Sequence, residues 1–178
     1  MKHKHAITPN IDNLAKKSVC FKSHFAGIIP CGPARTTMLT GLYPFIHRST
    51  RNGSPLDKRF TNIAKEIKKV GYKPKLFGYT DTTWDPRYLD DNDKKKYTYE
   101  SPMEGFDPIC HLPESNPEPW YKYLLSKGYK YKNAKQLYKR DFPEKGEAFT
   151  YKAWSIKAED SDTSFLADQV IKHLKNKT

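Results

Sequence analysis

The sequence predicts an α/β fold, and two adjacent stretches carry the prediction. The run TNIAKEIKKVGY places Ile63, Ile67 and Val70 on one helical face. Thr61 is expected to cap this helix, and Gly71 to end it. The apolar run KPKLFGYT follows at once and predicts a strand. A helix joined to a strand by a tight glycine connection is typical of an α/β unit.

Two helices are predicted earlier in the chain. Thr8 and Pro9 form a typical helix start, and apolar residues at helical spacing extend the first helix to about Lys17. A second helix is predicted from Pro33 to Gly41, which suits a helix C-terminus. This prediction places a cysteine, Cys31, just before a helix N-terminus.

The pattern is weaker after residue 87. A short helix is predicted from Pro119 to Lys127, and a last helix begins near a cap at Ser161 or Asp162. We therefore divide residues 1–178 into a core at 6–87, an irregular insertion at 88–150 and a C-terminal helix segment at 151–178.

The composition indicates one polar globular domain. The chain has 178 residues, 37% of them hydrophobic, with a mean hydropathy of -0.86. Its three cysteines are widely spaced, so neither a disulfide framework nor a zinc site is indicated, and Cys20 in the apolar run SVCF is expected in the core. No stretch approaches the roughly 20 apolar residues of a membrane span, and no signal-peptide core precedes Thr8. We expect a cytoplasmic protein without a membrane partner.

The net charge of +12 does not favour nucleic-acid binding. Only six of the 32 basic residues are arginines, and the lysines are spread along the whole chain. Proteins that bind bases and phosphates favour clustered arginines. Solvated surface lysines are the preferred interpretation.

One motif stands out from this background. The segment IIPCGPARTTMLTGLYP contains Cys31, then Pro33 two residues later and Arg35 four residues later. Cys-x-Pro-x-Arg followed by LTG resembles the signature of the sulfatase family in the alkaline phosphatase superfamily. The runs TPNIDNLAKKSVCF, HRSTRNGSPLD, LFGYTDT and AEDSDTSFLADQVIKHL are most similar to its phosphonate monoester hydrolase and arylsulfatase branch. The resemblance implies part of an alkaline-phosphatase-like sandwich, with a mixed sheet flanked by helices.

The resemblance also implies a chemistry for the cysteine. In such enzymes the thiol is oxidised to formylglycine (3-oxoalanine) by a formylglycine-generating enzyme, which reads the residues matching Pro33 and Arg35. One hydroxyl of the hydrated aldehyde attacks a sulfate, phosphate or phosphonate ester while bound to a divalent metal, expected to be manganese or calcium. Cys31 is therefore the predicted catalytic residue and a predicted metal ligand. A helix N-terminus suits the anionic ester that it would meet.

Four other residues complete the predicted site. Arg35 lies one helical turn after Cys31, where a guanidinium can hold an oxygen of the hydrate or of the substrate. Asn52 resembles the family asparagine that contacts the transferred group, although an Asn-Gly turn explains it equally well. Tyr79 and Thr80 end a predicted strand and are expected to offer hydroxyls to the substrate, since open α/β folds bind ligands there. The next residue, Asp81, stands where some relatives have a small hydroxyl residue.

Other family features are not matched in this sequence. Relatives carry a first strand with metal-binding aspartates before the segment that matches Thr8, and an Asp-His or Asp-Asn pair with a lysine in a long C-terminal portion. A histidine often stands where this chain has Asp160. We therefore expect a fragment, truncated or split, that lacks most metal ligands and needs a complementary chain. His3 and His5 are expected to lie in a flexible tail, and Cys110 to be a buried thiol beside a loop histidine, His111.

Three hypotheses remain open from the sequence. The first is a formylglycine-dependent hydrolase fragment acting on small sulfate, phosphate or phosphonate esters. The second is a non-catalytic relative that binds an anion or a partner, and the third is a nucleic-acid binder. The second predicts that Cys31 remains a thiol, and the third predicts an affinity that falls steeply with salt.

Overall fold

The computed structural model describes residues 7–138 and 154–176. They form helices and two strands in the order α1 (Pro9–Lys16), α2 (Cys31–Thr40), α3 (Pro44–His47), α4 (Ile63–Lys69), β1 (Lys75–Gly78), β2 (Asp107–His111), α5 (Glu118–Ser126) and α6 (Asp162–Lys175). Short 3-10 turns lie at Pro86–Tyr88, Lys94–Tyr97, Ala134–Gln136 and Ala158–Asp160. The predicted α/β class is confirmed. None of the helices in the described part is long and apolar enough to cross a membrane.

The two strands form a small parallel sheet. Lys75 pairs with Asp107 and Gly78 with His111, with a register shift between Leu76 and Phe77. Parallel neighbours need a long crossover connection, and residues 79–106 supply it. An antiparallel bridge from Thr82 to Ser101 lies within that crossover. The crossover leaves the sheet at the carboxyl end of β1, which brings residues 79–83 to the site described below.

Part of the segment predicted to be irregular belongs to the folded core. The strand β2 lies inside the range 88–150, and the sequence analysis missed it because Pro108 interrupts a very short apolar run. The helix α5 also lies in this range and confirms the prediction of a helix from Pro119 to Lys127. Residues 139–150 of the predicted insertion lie outside the described residues, as do His3 and His5.

The main hydrophobic core packs the sheet against α5 and α6. Its buried members are Cys110, Leu112, Trp120, Leu124, Leu137, Ile156 and Phe165. Phe77 of β1 and several tyrosines pack around them. Cys110 is buried, as expected, and this burial raises the pKa of its thiol, but His111 lies on β2 rather than in a loop.

Helix α4 is capped one residue later than predicted. The side-chain oxygen of Asn62, not Thr61, accepts a hydrogen bond from the Lys65 amide at 3.1 Å. The Asn62 amide also donates to the Glu104 carbonyl at 2.8 Å, so this cap anchors the helix to the crossover. Thr61 instead donates its hydroxyl to Glu66.

The prediction that Cys20 lies in the core is wrong, because Cys20 is exposed. Val19 is 81% exposed and Phe21 is 78% exposed, so the whole run SVCF lies on the surface. We define the N-terminal apolar surface as the exposed residues Ile11, Leu14, Val19, Phe21, Phe25 and Ile29. Hydrophobicity alone suggested burial, whereas nothing in the described part of the chain packs over this segment.

A buried histidine connects helices α2 and α3. The Ser49 amide donates to His47 Nδ1 at 3.0 Å, so Nδ1 is the unprotonated nitrogen and Nε2 carries the hydrogen. His47 Nε2 lies 2.9 Å from the Thr37 hydroxyl, which itself donates to the Pro33 carbonyl. Burial lowers the pKa of His47, which favours this neutral form.

A buried carboxylate joins α5 to the turn before α6. The hydroxyls of Tyr123 and Tyr129 donate to the two Asp160 oxygens at 2.7 and 2.9 Å. The Trp120 indole donates to the Asp160 carbonyl at 2.8 Å. The Tyr123 hydrogen bond, assisted by that of Tyr129, lowers the pKa of Asp160 below its ordinary value of 3.8. At this position the chain uses a carboxylate to hold its core together.

Leu124→Ala is expected to destabilise the chain by about 2–5 kcal/mol, because it leaves a cavity in a close-packed core. Leu124 is completely buried, whereas its neighbour Leu125 is 42% exposed. Leu125→Ala is therefore the matched control, with an expected loss below about 1 kcal/mol. Urea denaturation followed by circular dichroism measures both. Equal losses for the two variants would contradict the assigned core.

Asp160 is expected to make the free energy of unfolding decrease at acidic pH. Its folded pKa is lowered, so its contribution is present above the ordinary value of 3.8 and is lost as the pH falls below that value. Urea midpoints of the wild type are expected to drop more steeply below about pH 4 than those of Asp160→Asn. Glu159→Gln, which removes the exposed neighbouring carboxylate, is expected to follow the wild type. If the urea midpoints of all three proteins decreased equally as the pH is lowered, the role assigned to Asp160 would be contradicted.

Candidate functional site

Cys31 is the first residue of α2. The sequence analysis started this helix at Pro33 and placed Cys31 before it, which is wrong by two residues. Proline is compatible with the first turn of a helix, because the amide hydrogen that it lacks would have no partner within the helix. Pro33 therefore sits inside the first turn of α2, and the Cys31 side chain is exposed at its start.

Asn52 caps this helix from a distant turn. The Gly32 amide donates to Asn52 Oδ1 at 2.9 Å, and Pro30, at the N-cap position, makes no side-chain capping bond. With Oδ1 held by Gly32, the Nδ2 group of Asn52 faces the cysteine and donates to Cys31 Sγ at 3.1 Å. The structure therefore brings Cys31 and Asn52 together, as the resemblance implied.

The alternative reading of Asn52 as a turn residue also holds. The Ser54 amide donates to the Arg51 carbonyl at 3.1 Å, and Gly53 has a positive φ of 80°. The Ser54 hydroxyl accepts from the amides of Thr50 and Arg51, both at 3.2 Å. This tight turn gives Asn52 a fixed direction, so the two interpretations describe one arrangement.

Gly32 is required by the closeness of its neighbours. A Cβ atom at this position would lie 2.8 Å from the Asp81 carbonyl oxygen and 2.9 Å from Asn52 Oδ1. Such a contact is too short for any side chain and involves a backbone atom that cannot rotate away. Gly32 therefore lets the loop after β1 approach the start of α2.

Arg35 lies on the next turn of α2 and faces the same loop. Its Nη1 atom is 3.8 Å from Asp81 Oδ2, and its guanidinium carbon is 5.4 Å from the centre of the Tyr79 ring. The side chain is 38% exposed, although Nη1 itself is buried without a hydrogen-bond partner in the described part of the chain. The remaining exposed area allows the guanidinium to meet a ligand.

Tyr79 is held by the segment that follows β2. Its hydroxyl donates to Glu114 Oε1 at 3.2 Å. The Glu114 amide in turn donates to the buried Glu100 carboxylate at 2.6 Å, which fixes this segment. Burial, followed by the charges of Glu114 and Asp81, raises the Tyr79 pKa well above 10. Tyr79 therefore keeps its proton and acts as a donor at neutral pH.

Thr80 does not join this group. It is buried, and its hydroxyl donates to the Ser101 carbonyl at 2.8 Å and accepts from the Met103 amide at 2.7 Å. The expectation that Thr80 offers a hydroxyl to a substrate is therefore replaced by a structural role, since both hydrogen bonds hold the crossover loop. The prediction failed because successive residues after a strand point in opposite directions.

Asp81, Gly32 and Glu114 are the site neighbours that sequence reasoning did not select. Asp81 has a left-handed φ of 62°, and its side chain is 2% exposed. Its position just after the carboxyl end of β1 was the available signal, because ligands of open α/β sheets bind there. No sequence signal pointed to Glu114, which reaches Tyr79 across 35 residues of sequence.

The described residues do not form a metal site. Among them, no group of three or more His, Cys, Asp or Glu side chains is placed to hold a metal ion. A hard divalent cation needs about six oxygen ligands, and around Cys31 the structure offers the Asn52 oxygen, already bonded to Gly32, and the buried Asp81. These residues alone do not fit the divalent cation that the resemblance implied.

Comparison with known proteins assigns the family. The family model described as Sulfatase matches residues 2–177. The chain belongs to the sulfatase family. It is 33% identical over 171 residues to the multifunctional alkaline phosphatase superfamily protein PehA of Trinickia caryophylli, a match that covers 96% of this chain and 33% of that protein. It is 32% identical over 84 residues to arylsulfatase A of Bos taurus, which covers 43% of this chain and 16% of that one.

Solved structures agree with this family and with the predicted branch. The phosphonate monoester hydrolase of Agrobacterium radiobacter superposes with a TM-score of 0.88 and 41% identity, over 98% of this chain and 34% of that one. The phosphonate monoester hydrolase SpPMH of Silicibacter pomeroyi gives a TM-score of 0.85 and 42% identity, over 94% of this chain and 33% of that one. The predicted alkaline-phosphatase-like fold is confirmed. This sulfatase-family chain spans about a third of the length of these relatives.

Gly32→Ala is expected to destabilise the chain by about 1–3 kcal/mol, because the new methyl group overlaps the Asp81 carbonyl and the Asn52 side chain. Gly27→Ala is the matched control, since its Cβ would meet nothing closer than 3.9 Å. Urea denaturation of both variants measures the difference. A Gly32→Ala protein as stable as Gly27→Ala would contradict the close approach of the loop to α2.

Proposed function

We propose that this chain is the nucleophile-bearing part of a formylglycine-dependent hydrolase of sulfate, phosphate or phosphonate monoesters. The observation that carries the proposal is the arrangement at the start of α2, where the Cys31 thiol is exposed, Asn52 Nδ2 donates to it and Arg35 follows one turn later. Membership of the sulfatase family and the similarity to two phosphonate monoester hydrolases support it.

Residues of this chain supply several of the groups that would contact the ester in such a reaction. Cys31 is exposed at the start of α2, and the aldehyde hydrate formed from it would supply the nucleophilic hydroxyl. Asn52 Nδ2 keeps a hydrogen-bond donor on the side chain at position 31. Arg35 contributes a positive charge, and the Tyr79 ring packs against its guanidinium while the Tyr79 hydroxyl donates its hydrogen to Glu114.

The divalent metal, manganese or calcium, remains part of the proposal. Cys31 would be one of its ligands after conversion to formylglycine. The described residues do not supply the other ligands, so the remaining ones would come from polypeptide outside them.

The N-terminal apolar surface supports a need for further polypeptide. Its six residues, Ile11, Leu14, Val19, Phe21, Phe25 and Ile29, are all at least half exposed. Exposed apolar patches of this kind mark surfaces that another segment covers. We propose that polypeptide corresponding to the other two thirds of the relatives covers this surface and completes the site.

A second candidate is a non-catalytic sulfatase-family fragment that binds an anion or a partner. The specific observation in its favour is the absence of a metal-binding cluster among the described residues. In that case the exposed α2 N-terminus, Asn52 and Arg35 would bind an anion, and Cys31 would remain a thiol.

The proposed function predicts that Cys31 is modified. Aerobic co-expression with a formylglycine-generating enzyme, with dioxygen as the oxidant and loss of the sulfur, is expected to convert it, and tryptic mass spectrometry then detects the mass decrease of a thiol-to-aldehyde conversion. Cys20 is the internal control: it is also exposed, but Lys22 and His24 stand where Pro33 and Arg35 follow Cys31. Cys31 is expected to react and Cys20 to remain a thiol.

Hydrolysis is the second readout of the same experiment. The converted chain, mixed with manganese and with the complementary two thirds of a phosphonate monoester hydrolase, is expected to cleave 4-nitrophenyl esters. Cys31→Ala under the same conditions is expected to be inactive. An unmodified Cys31 would contradict the hydrolase proposal and favour the anion-binding candidate.

A further inference from the structure

A cleft of about 330 Å³ lies between the end of α3, the segment before α4 and the 3-10 turn at Pro86–Tyr88. Three of the chain's six arginines line it, namely Arg48, Arg59 and Arg87. They come from three separate segments, and all three side chains are exposed. Because planar guanidinium groups bind oxyanions such as carboxylates and phosphates through paired hydrogen bonds, this convergence indicates an anion-binding surface. We call it the arginine cleft.

Two carboxylates hold the arginines of this cleft in position. Arg87 Nε and Nη2 donate to Asp85 at 2.9 and 2.6 Å, and Arg87 Nη2 also lies 3.0 Å from Asp57 Oδ2. Arg59 Nε lies 3.5 Å from the same Asp57 oxygen. The Arg87 hydrogen bonds keep the pKa of Asp85 far below its ordinary value, so Asp85 stays charged. Both aspartates are therefore engaged by the fold and orient two of the three guanidiniums.

The arginine cleft keeps a positive charge and free hydrogen-bond donors. Its three guanidiniums exceed its two carboxylates by one charge, and His47, which also lines it, is neutral. Arg48 forms no ion pair within the described residues. Arg87 uses Nε and Nη2 for the aspartates, which leaves the two N–H groups of Nη1 for a ligand. An added negative charge would therefore find donors that the aspartates do not occupy.

The backbone at Arg48 is unusual for an arginine. The residue ends α3 with a left-handed φ of 57°, and its amide donates to the Pro44 carbonyl at 2.8 Å. Glycine or asparagine adopts this conformation with less strain. A strained position that carries an unpaired charged side chain on a cleft is a reason to look for a function of that side chain.

The other walls of the arginine cleft are apolar. They are formed by Ile46, Pro55, Phe60 and Pro86. Ile46 is 40% exposed, so an apolar group bound against it would remove hydrocarbon surface from water. The volume lies at the lower end of the range for small-molecule pockets.

We propose that the arginine cleft is a second anion-binding site that takes a small organic anion. The oxyanion group of this ligand lies against the three guanidiniums, and its flat apolar body lies against the apolar walls. Cys31, Arg35 and Asn52 do not line the cleft, so the inference goes beyond the proposed hydrolase and does not depend on it.

One segment, residues 47–57, separates the two sites. Arg48 and Asp57, near its two ends, line the arginine cleft, whereas Asn52 in its middle caps α2 and faces Cys31. Binding at the two sites can therefore be observed separately, through different side chains.

The test is a titration of the full chain with benzenesulfonate, which carries one permanent charge and is not an ester. NMR follows the arginine Nε–H signals, which number at most six and are assigned by substituting one arginine at a time. The signals of Arg48, Arg59 and Arg87 are expected to follow one binding curve. Any change of the Arg35 signal reports the Cys31 site and is analysed as a separate curve.

Arg48→Asn is the informative variant, because it removes an unpaired charge and asparagine tolerates the left-handed φ. Arg59→Gln is the second variant in case the first does not fold, since Asp57 keeps its contact with Arg87. Arg51→Asn is the matched control, because it removes the same charge from an exposed position that does not line the cleft. Urea midpoints of each variant check that it is folded.

The Kd for benzenesulfonate, read from the Arg87 signal, is expected to rise about tenfold in Arg48→Asn and in Arg59→Gln. Arg51→Asn is expected to change it by less than about twofold, since exposed charges outside the cleft are screened. Methanesulfonate has the same charge and head group without the ring, and its Kd for the wild type is expected to be at least about fivefold higher.

Two results would overturn the inference. If benzenesulfonate shifts none of the three cleft signals, or if its Kd is unchanged in both Arg48→Asn and Arg59→Gln, the arginine cleft is not an anion site. If methanesulfonate binds as tightly as benzenesulfonate, the assignment of an organic anion with an apolar body is wrong. Neither result bears on modification of Cys31, so the proposed function is tested independently.

Discussion

The hydrogen bond from the Gly32 amide to Asn52 Oδ1 is the contact on which the site depends. It satisfies an amide at the start of α2 that has no partner within the helix, and it fixes which end of the Asn52 amide faces Cys31. It forms only because residue 32 has no side chain, which also admits the Asp81 carbonyl. One glycine thus brings three separate segments together around one thiol.

Charged and polar groups around this contact are arranged in pairs. Arg35 lies between the Asp81 carboxylate and the Tyr79 ring, while Glu114 accepts the Tyr79 hydroxyl hydrogen. Glu100 holds Glu114 in place through the main chain. The site therefore has a fixed distribution of charge before any ligand arrives.

Sequence reasoning found the parts of the fold that depend on local signals. The helical spacing of Ile63 and Ile67 and the apolar strand after them predicted α4 and β1. The Cys-x-Pro-x-Arg motif singled out Cys31, and the resemblance of the run RNG to a family segment singled out Asn52. Sequence reasoning failed where long-range packing decides the outcome. Strand β2 is too short and too interrupted to show a period, Cys20 lies in an apolar run that remains exposed, and Thr80 turns into the loop rather than toward the thiol.

Amide hydrogen exchange at Gly32 is the measurement that tests this account most directly. An amide at the first turn of a helix exchanges rapidly unless something outside the helix accepts its hydrogen. In the wild-type chain, NMR is expected to show the Gly32 amide exchanging several-fold more slowly than in Asn52→Ala, with the amides of α5 unchanged as an internal reference. Equal and rapid exchange of the Gly32 amide in both proteins would contradict the central contact.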